Sequence, residues 1–400
     1  MGRVMRVALV SQEYPPETAH GGIATQTRAK AVGLAALGHA VHVVSHSVDG
    51  RRHVANVDGI AVIRIPGFDA LMPLHTEIAR SLTWSALVAA EVAQLNDRVG
   101  LDVVDFPDWG NEAHVHLLNR TPWSRLPTVI HLHGPLSMLA ERIGWPEPGS
   151  DLQRIGTAIE GDCLRRADAI VSSSRCSADW VARRHGIDRG GMPIIHTGID
   201  TARFRPGLAP PDNRPTIVCS GRVARSKGVD TLVDAACRLA AEWPLLRLRL
   251  IGNDADAPLV NNLRSRTAAA GCPDLLDIVG HVAHGALPQL LCRALVHAAP
   301  SPFEAGPGLA NLEAMACGLP VIACSGSGSS EVIADGASGL LVPPGDAAAL
   351  SAALRRLLAD AALRARLGSA ARAAVEADHG STDCVRRYAA FLASVVEAAP

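Results

Sequence analysis

The sequence predicts an α/β protein of two doubly wound parallel-sheet domains in tandem, and three observations predict it. The chain has 400 residues, more than one hydrophobic core usually organises. Short β-branched runs alternate with longer Ala/Leu-rich segments, the pattern of strand–helix units repeated around a parallel sheet. That alternation occurs as two series, separated by FRPGLAPPDNRP (204–215), whose four prolines cannot continue a strand or helix and whose polar filler suits an exposed connector.

The first series holds RVALVS (6–11), the helical TQTRAKAVGLAALG (25–38), AVHVVS (40–45), IAVIRI (60–65), LDVVDF (101–106), PTVIHL (127–132) and DAIVSS (168–173). The second holds PTIVCS (215–220), the helical TLVDAACRLAAEW (231–243), LRLRLIG (246–252), LLDIVG (275–280), ALVHAA (294–299), PVIACS (320–325) and SGLLVP (338–343). From Asp346 the tail is helical in pattern up to His379-Gly380, and a last amphipathic segment follows. The domains therefore read as 1–205 and 206–382, with a final helix over about 383–400 packing back on the first. Ligands of doubly wound sheets bind at the carboxyl ends of the strands, so two such domains facing each other would carry their chemistry in the loops after strands.

Composition bounds the rest. With 48% hydrophobic residues, 3% aromatics and a formal net charge of -1, the chain is a folded globular protein with no electrostatic reason to bind nucleic acid. Nine cysteines (163, 176, 219, 237, 272, 292, 317, 324 and 384), never spaced CxxC, fit reduced thiols in a cytoplasmic protein rather than a disulfide framework or a zinc cage. The opening MGRVMRVALVSQEY is too briefly apolar for a signal segment, and no run approaches the ~18 apolar residues of a membrane span. Any membrane contact would be peripheral. MRVALV also reads as a natural beginning, so Met5 competes with Met1 as the start.

Several loops after strands offer chemistry. Gly21-Gly22 precede a helix that Thr25 or Thr27 would help cap, and a glycine pair there lets backbone N–H groups approach an anion; a plain strand–helix turn is the alternative. His131 and His133 share a face of their strand before Gly134-Pro135 turns the chain. No third ligand at a characteristic spacing supports a metal there; His133 reads either as a substrate contact or, like most strand histidines, as simply hydrogen-bonded. In FPDWGNEAH (106–114), Asp108, Trp109 and Glu112 combine hydrogen-bond acceptors with a flat apolar face, suited to a sugar acceptor, although Asp108 as a helix cap and Trp109 as packing explain them equally. Asp254-Ala255-Asp256 resembles a cation-binding triplet, but Asp256 reads better as the cap of the next helix.

Two loops of the second series stand out. Only two of the 38 basic residues are lysines, Lys30 and Lys227, and Lys227 lies five residues after Arg222 in SGRVARSKG (220–228). In the segment SPFEAGPGLANLEAMACG, Gly306-Pro307-Gly308 sits at a helix start, with Glu304 before it and Glu313 inside the helix, which stops at Cys317-Gly318. Glycines there expose backbone donors to a phosphate, and two carboxylates can accept hydrogen bonds from sugar hydroxyls.

Together with HLHG (131–134), ADAIVSSS (167–174) and HTGIDTARFRP (196–206), these segments resemble the retaining nucleotide-sugar glycosyltransferases of family 4, across nearly the whole chain. The resemblance implies the GT-B fold, two Rossmann-like domains facing across a cleft, and transfer of a hexosyl group from a nucleotide-diphosphate sugar to a hydroxyl of a saccharide, lipid-linked or small-molecule acceptor. It implies that Arg222 and Lys227 neutralise the donor diphosphate, that Glu313 holds the ribose hydroxyls, and that amides of Gly306, Pro307, Gly308 and Leu309 frame the β-phosphate and sugar; proline itself contributes no N–H. His133 would lie beside the donor sugar and Gly21-Gly22 near the phosphate. No metal or other cofactor is called for, and a lipid-linked acceptor would bring the chain to the inner face of a membrane. The family's first glutamate would align with Ala305, one residue after Glu304, so Glu304 serves if the turn absorbs one residue.

The rivals are a nucleotide-sugar 2-epimerase of the same fold, and a binding protein that has lost catalysis. A dehydrogenase is disfavoured because no GxGxxG follows any strand.

Overall fold

A computed structural model describes residues 3–18, 21–67, 73–253 and 256–399. It divides into two compact units. One contains the chain up to Gly198 and again from Ser381, and the other is Ile199–Gly380.

The first unit carries a seven-stranded sheet of β1 (Arg6–Val10), β2 (Ala40–His46), β3 (His53–Val57), β4 (Ile60–Ile65), β5 (Val103–Pro107), β6 (Thr128–Leu132) and β7 (Ala169–Ser172). Their order is β3-β4-β2-β1-β5-β6-β7, parallel except that β3 runs against β4. Helices α1 (Gly22–Ala36), α2 (Glu77–Val99), α3 (His114–Leu118), α4 (Leu136–Ile143), α5 (Thr157–Arg166) and α6 (Arg175–His185) alternate with the strands. β5, β6 and the inner turns of β1 and β2 are buried because helices cover both faces, so these strands read as continuous apolar runs.

The second unit holds β8 (Thr216–Ser220), β9 (Arg247–Ile251), β10 (Leu276–Gly280), β11 (Val296–Ala299), β12 (Val321–Cys324) and β13 (Gly339–Val342), all parallel, in the order β10-β9-β8-β11-β12-β13. Its helices are α7 (Val229–Cys237), α8 (Ala257–Ala269), α9 (Leu287–Cys292), α10 (Leu309–Ala316), α11 (Ala347–Ala359) and α12 (Ala361–Asp378). The Ala-rich tail is two helices, not one, because Asp360 leaves the helical conformation and its side chain caps the second at Leu363 N.

A last helix, α13 (Ser381–Ala398), returns to the first unit, where Val385, Tyr388, Leu392 and Val395 join the core of β1 and α1. Gly33 makes that contact possible, since a Cβ there would stand 2.5 Å from Val385 Cγ2. Residues 199–205, placed in the first domain by the sequence, belong to the second unit: Ile199 and Phe204 are buried in its core with Leu312 and Val375.

Two of the elements that the sequence reading does not name stand out. β3 is a half-exposed edge strand joined to β4 by Asp58-Gly59, both at positive φ (54° and 82°), the two-residue turn of a tight hairpin. α2 is a 23-residue helix capped by the Thr76 side chain at Ala79 N and closed by Gly100 at φ 64°.

Candidate functional site

Among the parallel strands of each sheet the order reverses at one place, between β1 and β5 in the first unit and between β8 and β11 in the second. Such switch points open a crevice at the carboxyl ends of the strands. In the second unit the two loops that flank it are 221–228 and 300–308, the two the sequence singles out.

Glycine geometry joins them. The β8 and β9 ends close on Gly221 and Gly252, where a Cβ on Gly252 would lie 1.7 Å from the Gly221 carbonyl oxygen. Arg222 follows, exposed, and a single 3-10 turn over Arg225–Lys227 ends at Gly228, φ 72°. A Cβ there would lie 2.1 Å from the Pro300 carbonyl oxygen, so the first loop rests directly on the backbone of the second. Ser301 Oγ fastens them further by donating to the Ser226 carbonyl at 3.3 Å. Lys227 Nζ, half-buried, then donates to Glu304 Oε1 at 2.6 Å.

The Glu304–Gly308 turn is held by Gly328, whose N–H donates to the Glu304 carbonyl at 2.7 Å and whose missing side chain admits the Gly306 backbone. Gly308, φ 78°, opens α10, and no side chain caps that helix start. A turn further on, Glu313 is buried, and its Oε1 meets His284 Nε2 at 2.6 Å. His284 stands in the loop after β10, its ring 5.3 Å from that of Phe204.

The first unit is built differently. Gly21 is the extended N-cap of α1 and makes no side-chain cap; Thr25 and Thr27 lie inside the helix rather than capping it. Gly21 and Gly22 are exposed, and a Cβ on Gly21 would meet Glu13 Oε2 at 3.2 Å. At the end of β6 the Asp108 carboxylate accepts the His133 N–H at 3.0 Å and the Gly134 N–H at 3.1 Å. It therefore shapes the HLHG turn, and burial pushes its carboxyl up to about 7, with the two N–H donors and Glu160 acting in opposite senses. His131 and His133 stack face to face, centroids 4.4 Å apart and planes 13° from parallel. Burial first, and the Lys30 ammonium second, hold both rings well below the ordinary histidine range.

Of the three residues expected at an acceptor, only Trp109 presents a surface. Asp108 is committed to the turn, and Glu112 is 1% exposed, its carboxyl pushed up to about 8 by burial, which the Trp84 side chain and the Gln12 backbone oppose. Trp109 instead stacks on Trp145, beyond the end of α4, with centroids 4.9 Å apart.

The sequence reading thus finds Lys227, Glu304, Gly306, Pro307, Gly308 and Leu309 on neighbouring loops. It misses His284 and Trp145. His284 carried one signal, its place in a loop after a strand; Trp145 carried none. Among the described residues no three His, Cys, Asp or Glu side chains gather as a metal site. Asp254 lies outside the described residues, and Asp256 caps α8 at Leu259 N.

The description "Glycosyltransferase Family 4" matches residues 20–203 and "Glycosyl transferases group 1" matches 200–374. The chain is 30% identical over 396 residues to an α-maltose-1-phosphate synthase of Mycobacterium tuberculosis, covering 92% of this chain and 94% of that protein. Among solved structures, a sucrose-phosphate synthase from Thermosynechococcus elongatus superposes with a TM-score of 0.83 at 24% identity, over 99% of this chain and all of that one. The Anabaena protein HepE, in complex with UDP and glucose, gives 0.75 at 19% identity, over 98% of this chain and all of that one.

Proposed function

Because the chain belongs to the family 4 glycosyltransferases, we propose that it moves a hexosyl group from a nucleotide-diphosphate sugar to an acceptor hydroxyl with retention of the anomeric configuration. The observation that carries this reading is the Lys227–Glu304 pair beside the uncapped start of α10. A cation, a carboxylate and unshared helix dipole meet at the switch point of the second sheet.

Arg222 and Lys227 take the diphosphate, Arg as a fork and Lys as a movable point charge. Lys227 leaves Glu304 for the phosphate, and Glu304 turns to the sugar hydroxyls. Glu313, oriented by His284, accepts from the ribose hydroxyls. Backbone N–H groups of Gly306, Gly308 and Leu309 face the β-phosphate and sugar. His133 serves the donor sugar and Gly21-Gly22 the phosphate, while Trp109, backed by Trp145, gives a flat face to a saccharide acceptor.

In the transfer step the bond from C1 to the leaving phosphate oxygen breaks, and the acceptor hydroxyl oxygen bonds C1 from the same face. The hydroxyl proton passes to the departing phosphate oxygen, so no strong protein base is needed. Fixed cations and dipoles meet the charge that develops on the phosphate. A lipid-linked acceptor would place the protein peripherally on a membrane; among the described residues no helix is long and apolar enough to cross one.

The test begins with UDP-, GDP- and ADP-hexoses, read as protection from thermal unfolding. The protecting donor is then turned over with candidate acceptors. Nucleotide release that requires the acceptor, and an α-linked product from an α-linked donor by NMR, are expected. A β-linked product would overturn retention, and acceptor-independent turnover would favour epimerisation.

A further inference from the structure

The second lysine has a place of its own. Lys30 lies in α1, its side chain 13% exposed, and its Nζ donates to Asp105 Oδ2 on β5 at 2.5 Å. The same carboxylate oxygen accepts the Tyr388 hydroxyl of α13, also at 2.5 Å. Lys30 Nζ stands 3.3 Å from His131 Nδ1 on β6. One ammonium thus joins three strands and helices to the ring stacked on His133.

Chemistry fixes the direction of that contact. An ammonium only donates, so His131 Nδ1 accepts, and the neutral ring carries its proton on Nε2. The arrangement is not what packing alone would select, since a buried ion pair seldom stabilises a fold more than apolar side chains of the same volume. Its effect falls on the neighbouring rings.

We propose that Lys30, anchored by Asp105 and Tyr388, is a positioning residue for His133: it fixes the tautomer of His131 and so the tilt and charge of the stacked His133 ring. This rests on the reading of His133 as a donor-side residue. Besides burial, the Lys30 ammonium holds both rings down, so removing it raises the proton affinity of both. Among the described residues, the other ionisable groups packed around the pair are Asp105 and Asp108 at the end of β5, Tyr388 on α13, Glu160 on α5, which acts through Asp108, and His196 and Cys384, which line a cavity with Lys30 and His131. Asp108 itself titrates near 7. It does so in parent and variant alike, and the diagnostic quantity is the difference between their profiles.

The experiment compares kcat from pH 5.5 to 9 at saturating donor for the parent, Lys30→Met, Lys30→Arg and the double variant Lys30→Met/Asp105→Asn, which removes both charges together. Lys30→Met is expected to lower kcat on the order of tenfold at pH 8, the scale of a small misplacement of a reacting group. Donor KM should stay within about twofold, because the diphosphate contacts are untouched. The acid limb of the profile should move to higher pH, and Lys30→Arg should restore it. The double variant should reproduce the loss of kcat with a melting temperature near the parent's. Unchanged kcat and profile in folded Lys30 variants, with His133→Ala strongly impaired, would overturn the positioning role and leave the donor-side reading standing. An unimpaired His133→Ala would overturn that reading itself. Failure of both Lys30→Met variants to fold would assign the ion pair to stability and likewise overturn the proposal.

Discussion

The two switch points use ionisable groups in opposite ways. Around 221–228 and 300–308 each ion pair keeps a side chain within reach of solvent: Lys227 and Glu304 are both half-buried, and His284, two-fifths exposed, reaches the buried Glu313. Around β5 and β6 they are turned inward, where Asp108 holds two backbone N–H groups, Glu112 is sealed under Trp84, and Lys30 is locked on Asp105. A pair that solvent reaches exchanges partners more cheaply, because water and ligand compete for its accessible ion. A buried network cannot, because an orphaned charge is costly. The second unit is therefore built to trade its internal ion pairs for a ligand's charges, and the first to keep its histidines fixed and neutral.

Removing the tradable cation tests that contrast most severely. Lys227→Ala should lower kcat/KM by about two to three orders of magnitude, the scale of losing one preorganised charge donor at a transition state. Lys227→Arg keeps the charge but replaces a compact ammonium with a wide fork, and should recover only part of the rate. Steady-state kinetics on the donor identified by thermal protection would measure both. A fully active Lys227→Arg would mean that charge alone matters in that loop.

Glu304 sharpens the contrast at the next level. If it exchanges Lys227 for sugar hydroxyls, Glu304→Gln should cut kcat/KM by about tenfold, a loss of one charge-assisted hydrogen bond. The sugar-dependent part of thermal protection should shrink, while protection by the nucleotide diphosphate alone persists or grows, since Lys227 no longer has an internal rival. Unchanged transfer with tighter diphosphate binding would reduce Glu304 to a counter-ion.

How far the sequence reveals this difference depends on where the signal resides. The loops of the second unit are legible because their chemistry is local: Lys227 and Glu304 each sit in a short run beside glycines that close approaches of the backbone require, as the Gly228–Pro300 and Gly252–Gly221 contacts illustrate. At the one-residue offset, the Glu304 oxygen meets Lys227 while Ala305 is buried, a difference of place that spacing does not carry. The network of the first unit is assembled from Lys30, Asp105, His131 and Tyr388, whose hydrogen-bonded pairs lie up to 283 positions apart, and no linear pattern announces it. Asp108 and Glu112 look like acceptor ligands in the sequence because polarity is visible there and burial is not. The β3–β4 hairpin is a different case. Asp58-Gly59 between β-branched runs is a strong turn signal, but HVANV is too polar to resemble the apolar strands around it.

The smallest effect on transfer is expected at Glu112, where the contrast is checked by stability instead. Its folded-state pKa, about 8, lies above its unfolded value. Between pH 4.5 and 8 the folded chain therefore holds a proton that the unfolded chain has lost, and this group's contribution to stability falls as pH rises. Glu112→Gln removes that titration while keeping the shape of the side chain. Transfer should stay within about twofold of the parent, as the side chain does not reach substrate. The unfolding free energy of the variant, from denaturant titrations at pH 5, 6, 7 and 8, should fall less steeply than the parent's, the slopes differing by up to about 1.4 kcal/mol per pH unit, the value of one linked proton. Asp108 titrates in both proteins and cancels from the difference. Equal slopes would show that Glu112 ionises as freely in the folded state as in the unfolded one. The carboxylate would then be open to an acceptor, and the first switch point would be less sealed than its geometry indicates.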